Sequence, residues 1–102
     1  MQTYSRYKKE YTLTKQLLRS GTSIGANVTE AQQAQSRPDF IAKLSIALKE
    51  AVEAEYWLRL MYSTDYLTEK EFAAIIADCK ELEKPLTAII RSTKYPEVSE
   101  IK

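Results

Sequence analysis

The chain has 102 residues and a mass of 11.7 kDa, which points to one domain, since two ordinary domains need roughly 100 residues each. Apolar residues make up 44% and charged residues 28%, with 2 Gly, 3 Pro, one Cys and no His. That excludes collagen-like and low-complexity classes, a disulfide framework, zinc sites built on Cys or His, and His-dependent triads. Net charge is only +1, but residues 1–50 carry 8 Lys/Arg against 4 Asp/Glu (+4) and residues 51–102 carry 7 against 10 (−3). Such lopsidedness suits a basic face toward a polyanion or a self-complementary assembly, and it also arises by chance in a short chain.

The first segment has the oddest composition. Leu13, Leu17, Gly21, Ile24, Val28 and Ala31 step by 4, 4, 3, 4 and 3, a helical face. Its centre, Ser20 to Asn27, is poor in helix formers, and each Gly costs about 1 kcal/mol relative to Ala. The seam on both sides predicts one helix over about 8–34. Gly21 and Gly25 then lie four apart on one side, where small residues let helix backbones approach closely. On that reading, Gly21→Leu pushes helices apart.

The second segment is the most regular. Phe40, Leu44, Ala47, Ala51, Ala54, Leu58 and Met61 step alternately by 4 and 3, a heptad seam. Ile41, Leu48 and Val52 widen it into the broad apolar face of a bundle helix. Ser36 caps the start, with Pro38 tolerated in the first turn and Asp39 three residues after the cap. The predicted helix spans about 37–63 and ends in the loop Ser63-Thr64-Asp65.

A third start signal is the capping box Thr68-Glu69-Lys70-Glu71. Behind it Phe72, Ile75, Cys79, Leu82, Leu86 and Ile89 keep a seam in phase through Pro85. The spacing predicts a helix over about 68–94 with a kink near Glu81–Pro85, because proline removes the bond to the Glu81 carbonyl. Tyr95-Pro96 closes it, and 95–102 reads as a disordered tail. The expectation is an all-α, antiparallel up-down bundle over residues 1–94. Apolar seams on all three helices leave a trough where a fourth helix would normally lie.

Lys8, Lys15 and Arg19 share one face of the first helix, flanked by Arg6 and Lys9, with Tyr4, Tyr7 and Tyr11 between. Cations interleaved with aromatics suit phosphate contact and base stacking. The plainer alternative is a solvated face with tyrosines packing the bundle. Arg37 and Lys43 could extend the surface, with Asp39 between them. Arg19, Ser23, Asn27 and Glu30 form a polar line at spacings of 4, 4 and 3. It is either a ligand or partner site, or Asn27 and Glu30 bond to neighbouring helices and set their register.

Glu50, Glu53 and Glu55, then Glu69, Glu71, Asp78, Glu81 and Glu83, superficially suggest a di-iron bundle, but that site needs inward Glu-x-x-His pairs. They are expected to be solvated faces, with no metal and no cofactor. Cys79 on the seam behaves as a small buried hydrophobe, and Trp57, Tyr56, Tyr62 and Tyr66 suit a core or interface. No apolar run reaches the roughly 18 residues of a membrane span, and Met1–Glu10 is polar; the expectation is a cytoplasmic protein with no membrane role.

The run Leu17-Leu18-Arg19-Ser20-Gly21-Thr22-Ser23-Ile24-Gly25-Ala26-Asn27-Val28-Thr29-Glu30-Ala31 resembles the ribosomal RNA intervening-sequence proteins. The resemblance continues through Asp39-Phe40-Ile41 and Leu44–Ala51 to Tyr56-Trp57-Leu58, and more loosely to Ile89-Ile90, covering about residues 8–94. It implies an antiparallel four-helix bundle that assembles as a homopentamer. The related accessory variability protein of diversity-generating retroelements binds nucleic acid and a reverse transcriptase through basic surfaces. Family members carry a further amphipathic helix before the position of Tyr4-Ser5-Arg6-Tyr7, and this chain begins there. The expectation is a chain lacking most of the usual first helix, either because the true start lies further upstream or because the variant borrows that helix from a neighbour; in both cases its place is the trough. The functional expectation is a non-catalytic homo-oligomer presenting the basic face to RNA or DNA. The alternative is a scaffold whose trough binds a partner protein's helix.

Overall fold

The computed structural model describes the backbone of residues 2–94 and the side chains of residues 8–94; the tail over 95–102 lies outside the described residues. Three helices follow one another: α1 (Gln2–Gln32), α2 (Arg37–Ser63) and α3 (Glu69–Lys94), with no strand among the described residues. The architecture is an all-α, antiparallel up-down bundle.

Helix α1 starts at Gln2 rather than near Lys8, stops at Gln32 short of Ala34, and runs without a break through Ser20–Asn27. Small polar side chains survive inside it by bonding to their own helix. Thr12 Oγ1 donates to the Lys8 carbonyl at 3.0 Å, Thr22 Oγ1 to that of Leu18 at 2.9 Å, and Asn27 Nδ2 to that of Ser23 at 2.9 Å. Each satisfies a polar group that would otherwise favour a turn.

The packed line of α1 differs from the one expected. Leu13, Ser20, Ile24 and Ala31 are buried and Leu17, Asn27 and Val28 half-buried, whereas Gly21 and Gly25 are exposed. A Cβ placed on either glycine would meet nothing within 4 Å. The close approach between helices in this chain is therefore at Ser20, wholly shielded from solvent, and not at Gly21 or Gly25. With Ser20 restored, positions 13, 17, 20, 24, 27 and 31 alternate steps of 4 and 3, as a true heptad seam does.

Helix α2 is capped by Ser36, in extended conformation (φ −153°, ψ 164°), whose Oγ accepts the Asp39 N–H at 3.2 Å. Its far end closes with Asp65 in the left-handed region (φ 67°). The Asp65 N–H donates to the Tyr62 carbonyl and the Tyr66 N–H to that of Met61, the paired bonds of a Schellman ending. At the start of α3 the capping box closes in both directions. Glu71 N–H donates to Thr68 Oγ1 at 3.1 Å, and Thr68 N–H to Glu71 Oε1 at 2.9 Å. The helix continues through Pro85, and Leu86, one residue beyond, is buried against the core.

Short loops make neighbouring helices antiparallel, and α2 packs on both partners. Among the described residues, α1 and α3 do not pack against each other. The result is an elongated, flattened layer of 62 × 26 × 13 Å measured on Cα atoms. Leu44, Ala47, Ala51, Ala54, Leu58 and Met61 of α2 are buried and Phe40, Ile41 and Leu48 half-buried, while Val52, expected on the packed face, is exposed. Between the outer helices runs an open groove floored by Ala54 and Leu58. Its walls are Thr14, Leu17, Leu18, Gly21 and Ile24 of α1 and Ile75 and Cys79 of α3. Leu18 is 69% exposed, and Ile75, Leu82 and Ile89 of the α3 seam are also exposed.

Open space beside both glycines leaves only their backbone-entropy penalty. Gly25→Ala is expected to raise stability by roughly 0.5–1 kcal/mol. Ser20→Leu is expected to lower it by about 1–3 kcal/mol through overpacking. Thermal denaturation of the two variants checks this; the reverse order would put the close helix contact back at the glycines.

Candidate nucleic-acid interface

The basic face of α1 divides into cations that are free and one that is engaged. Lys8, Lys9 and Lys15 are exposed and have no ion-pair partner among the described residues, and Tyr11 between them is 61% exposed. Lys8 and Lys9 border a shallow hollow with Thr12 and Leu13. The side chains of Tyr4, Arg6 and Tyr7 lie outside the described residues. Arg19, expected among the phosphate contacts, instead reaches across to α2. Its Nη2 donates to Glu53 Oε1 at 2.8 Å, its Nη1 stands 3.7 Å from Glu50, and its Nε donates to Gln16 at 3.3 Å. The Arg19 hydrogen bond is the main cause holding the Glu53 carboxyl below its ordinary range.

The polar line from Arg19 to Glu30 is mixed. Ser23 and Asn27 bond to each other within α1, Asn27 Nδ2 donating to Ser23 Oγ at 3.3 Å, so Asn27 does not reach a neighbouring helix. Glu30 does: its Oε1 lies 2.8 Å from Lys43 Nζ of α2, and this hydrogen bond is the main cause raising the Lys43 amine. Lys43 is therefore not a free extension of the basic face. Arg19 and Glu30 hold α1 to α2 at two points, with antiparallel pairing: the earlier α1 residue meets the later α2 residues.

Not every carboxylate is a solvated face. Glu55 of α2 is only 7% exposed. Its Oε1 lies 3.2 Å from Lys80 Nζ of α3 and 3.4 Å from Arg59 Nη2. Glu83 of α3 faces the same contact, with Oε2 buried and lacking a donor. Burial first, and then the hydrogen bond to Glu55, push the Glu83 carboxyl up to about 7. A protonated Glu83 donates to Glu55, whose own carboxyl is held low mainly by that bond. Burial raises the neighbouring Cys79 thiol.

Sequence reasoning missed this cluster, although a signal existed: Leu48, Glu55 and Tyr62 step by seven along the α3 flank of α2. Tyr62 stacks on Phe72 of α3 at 4.5 Å and 9°, with the Arg59 guanidinium 5.9 Å above the Phe72 ring. Trp57 meets Tyr56 edge-on at 5.0 Å. No group of His, Cys, Asp or Glu able to hold a metal ion occurs among the described residues. Among them, no helix is long and apolar enough to cross a membrane.

The profile of the 23S rRNA-intervening sequence protein family matches residues 1–88. A crystal structure of a protein of unknown function from the S23 ribosomal protein family of Bacteroides thetaiotaomicron is similar to this chain. The two share 58% identity and a TM-score of 0.78, over 81% of this chain and 77% of the other. None of the curated proteins compared with the chain matches it.

The shared proton gives stability a pH signature. Unfolded, Glu83 loses its proton near the ordinary carboxyl value of 4.5; folded, it keeps it to about 7. Its contribution is therefore full below about pH 4.5 and is lost as pH rises through 7. Glu83→Gln keeps a donor for Glu55 without the titration. The variant is expected to match the parent near pH 5 and to exceed it at pH 8 by about 1 kcal/mol, a figure discounted for partial exposure and for coupling to Glu55. Thermal melts at both pH values check this, and an equal difference at the two would exclude the shared proton.

Proposed function

The chain belongs to the 23S rRNA-intervening sequence protein family, and from that membership we propose that it is a non-catalytic, self-associating helical-bundle protein that presents the basic face of α1 to nucleic acid. The observation that carries the reading is the segregation of charge on α1. Lys8, Lys9 and Lys15 stand exposed and unpaired among the described residues beside an exposed Tyr11, while Arg19 is taken up by α2. Free lysines on a helix face bind phosphates as point charges, and an exposed tyrosine offers a stacking surface for an unpaired base. Among the described residues no groove-reading element accompanies them, so binding is electrostatic and indifferent to sequence.

Self-association is supported by the open groove, along whose walls the apolar side chains of Leu18 and Ile75 stand exposed. The same groove favours a second reading, a scaffold that seats a partner helix and has no nucleic-acid role. The two readings part on one titration.

Fluorescence anisotropy of a labelled structured RNA and a labelled single-stranded DNA, at about 50 and 200 mM salt, is expected to show a fall in affinity of tens-fold or more with added salt. Lys8→Glu with Lys15→Glu is expected to abolish binding while helicity and melting temperature stay unchanged. Absence of binding at the lower salt would leave the scaffold reading. Binding that survives the charge reversal would move the contact to another face.

A further inference from the structure

Lys80, Lys84, Thr87, Arg91 and Lys94 follow one another along α3 at spacings of 4, 3, 4 and 3, and all five are exposed. At 100° per residue they form one stripe about 21 Å long, on the side of α3 opposite Ile75, Leu82 and Ile89. Lys80, Lys84, Thr87 and Arg91 border a shallow hollow with Ala88 and Glu83. Lys80 is paired with Glu55. Lys84, Arg91 and Lys94 have no ion-pair partner among the described residues. Within the stripe no acidic residue intervenes. Glu83, at its border, turns its carboxyl into the α2 contact and holds a proton up to about 7.

We infer that this α3 stripe is a second phosphate-backbone contact for nucleic acid, separate from the α1 face and led by Lys84 and Arg91. The inference rests on the nucleic-acid reading proposed above and adds a second place where the strand is held. The chemistry of the stripe selects the partner. A protein interface is centred on buried aromatic or aliphatic anchors, and here only Thr87 and Ala88 lie among the cations. A membrane surface wants apolar side chains on the lipid side beneath the cations, but Ile75, Leu82 and Ile89 lie on the opposite side of α3, and Leu86 and Ile90 pack against the core. A polyanion needs charge alone, repeated along a line. The length of the stripe corresponds to about six phosphates of one duplex strand at 3.4 Å each.

The test is the same anisotropy titration, on the full chain, with Lys84→Glu plus Arg91→Glu beside the α1 pair Lys8→Glu plus Lys15→Glu. The α3 pair is expected to weaken binding at least tenfold at about 50 mM salt and to lower the slope of log affinity against log salt by about 2. Because a negative charge near the end of α3 opposes the helix dipole, Thr87→Glu provides a second variant at the centre of the stripe, with at least a threefold loss expected. Unchanged binding by both α3 variants, with loss in the α1 pair, would overturn the stripe and leave the α1 face standing. No binding by the parent protein would overturn both. Competition by poly-glutamate as effective, charge for charge, as nucleic acid would reassign the stripe to acidic proteins.

Discussion

Both outer helices are held by one helix between them, and the side chains that permit this are alanines. Ala47, Ala51 and Ala54 lie within one seam of α2 at 0–4% exposure, so α2 offers a narrow, smooth face on which two neighbours can settle. Larger side chains supply the apolar area around it: Ile24 of α1, Leu44 of α2 and Leu86 of α3 join the same cluster, with Val28, Phe40, Leu48 and Ile90 at its margin. Since among the described residues α1 and α3 meet only through α2, the layer stays open above the alanines. The groove and the exposure of Leu18, Ile75, Leu82 and Ile89 follow from that single arrangement.

Polar groups divide according to the same geometry. Arg19 with Glu53, Lys43 with Glu30, and Lys80 with Glu55 all bridge to or from α2. The two exposed pairs, at Arg19 and Lys43, contribute little stability each, yet together with the buried Glu55 contact they mark how far each outer helix lies along the central one. Most cations left unpaired among the described residues belong to the outer helices, Lys8, Lys9 and Lys15 to α1 and Lys70, Lys84, Arg91 and Lys94 to α3, with Arg37 and Lys49 the two on α2. The basic surfaces are thus the remainder after the bundle has used the charges it needs, which is why Arg19 belongs to the fold and Lys15 to the proposed interface.

The buried carboxyl pair is the exception to apolar packing on α2. Glu55 sits where the heptad phase calls for a residue like Leu48 or Tyr62, and it is tolerated because Lys80 and Arg59 meet it and the Glu83 carboxyl facing it is pushed toward its protonated form. Removing one partner would leave a charge with poor access to water, a larger penalty than loss of the pair itself. Such a group specifies which part of α3 lies opposite which part of α2 more sharply than alanine and leucine can.

Helix number, the two N-terminal caps and the α2 seam were legible in the residues themselves, because capping and the seven-residue period are local: they depend on spacing along one helix. The open groove was also anticipated, from seams that outnumbered the helices available to cover them. What the sequence did not reveal depended on which neighbour each side chain meets. Ser20 and Gly21 are adjacent small residues in the same segment, and only the position of α2 decides that the serine is enclosed and the glycine exposed. Glu55 and Glu53 are two apart on one helix, and only the position of α3 makes the first a buried proton-sharing partner while the second answers Arg19. Periodicity gives the direction of a side chain on its own helix; burial and charge pairing are set by what stands opposite, and that is a property of the packed layer.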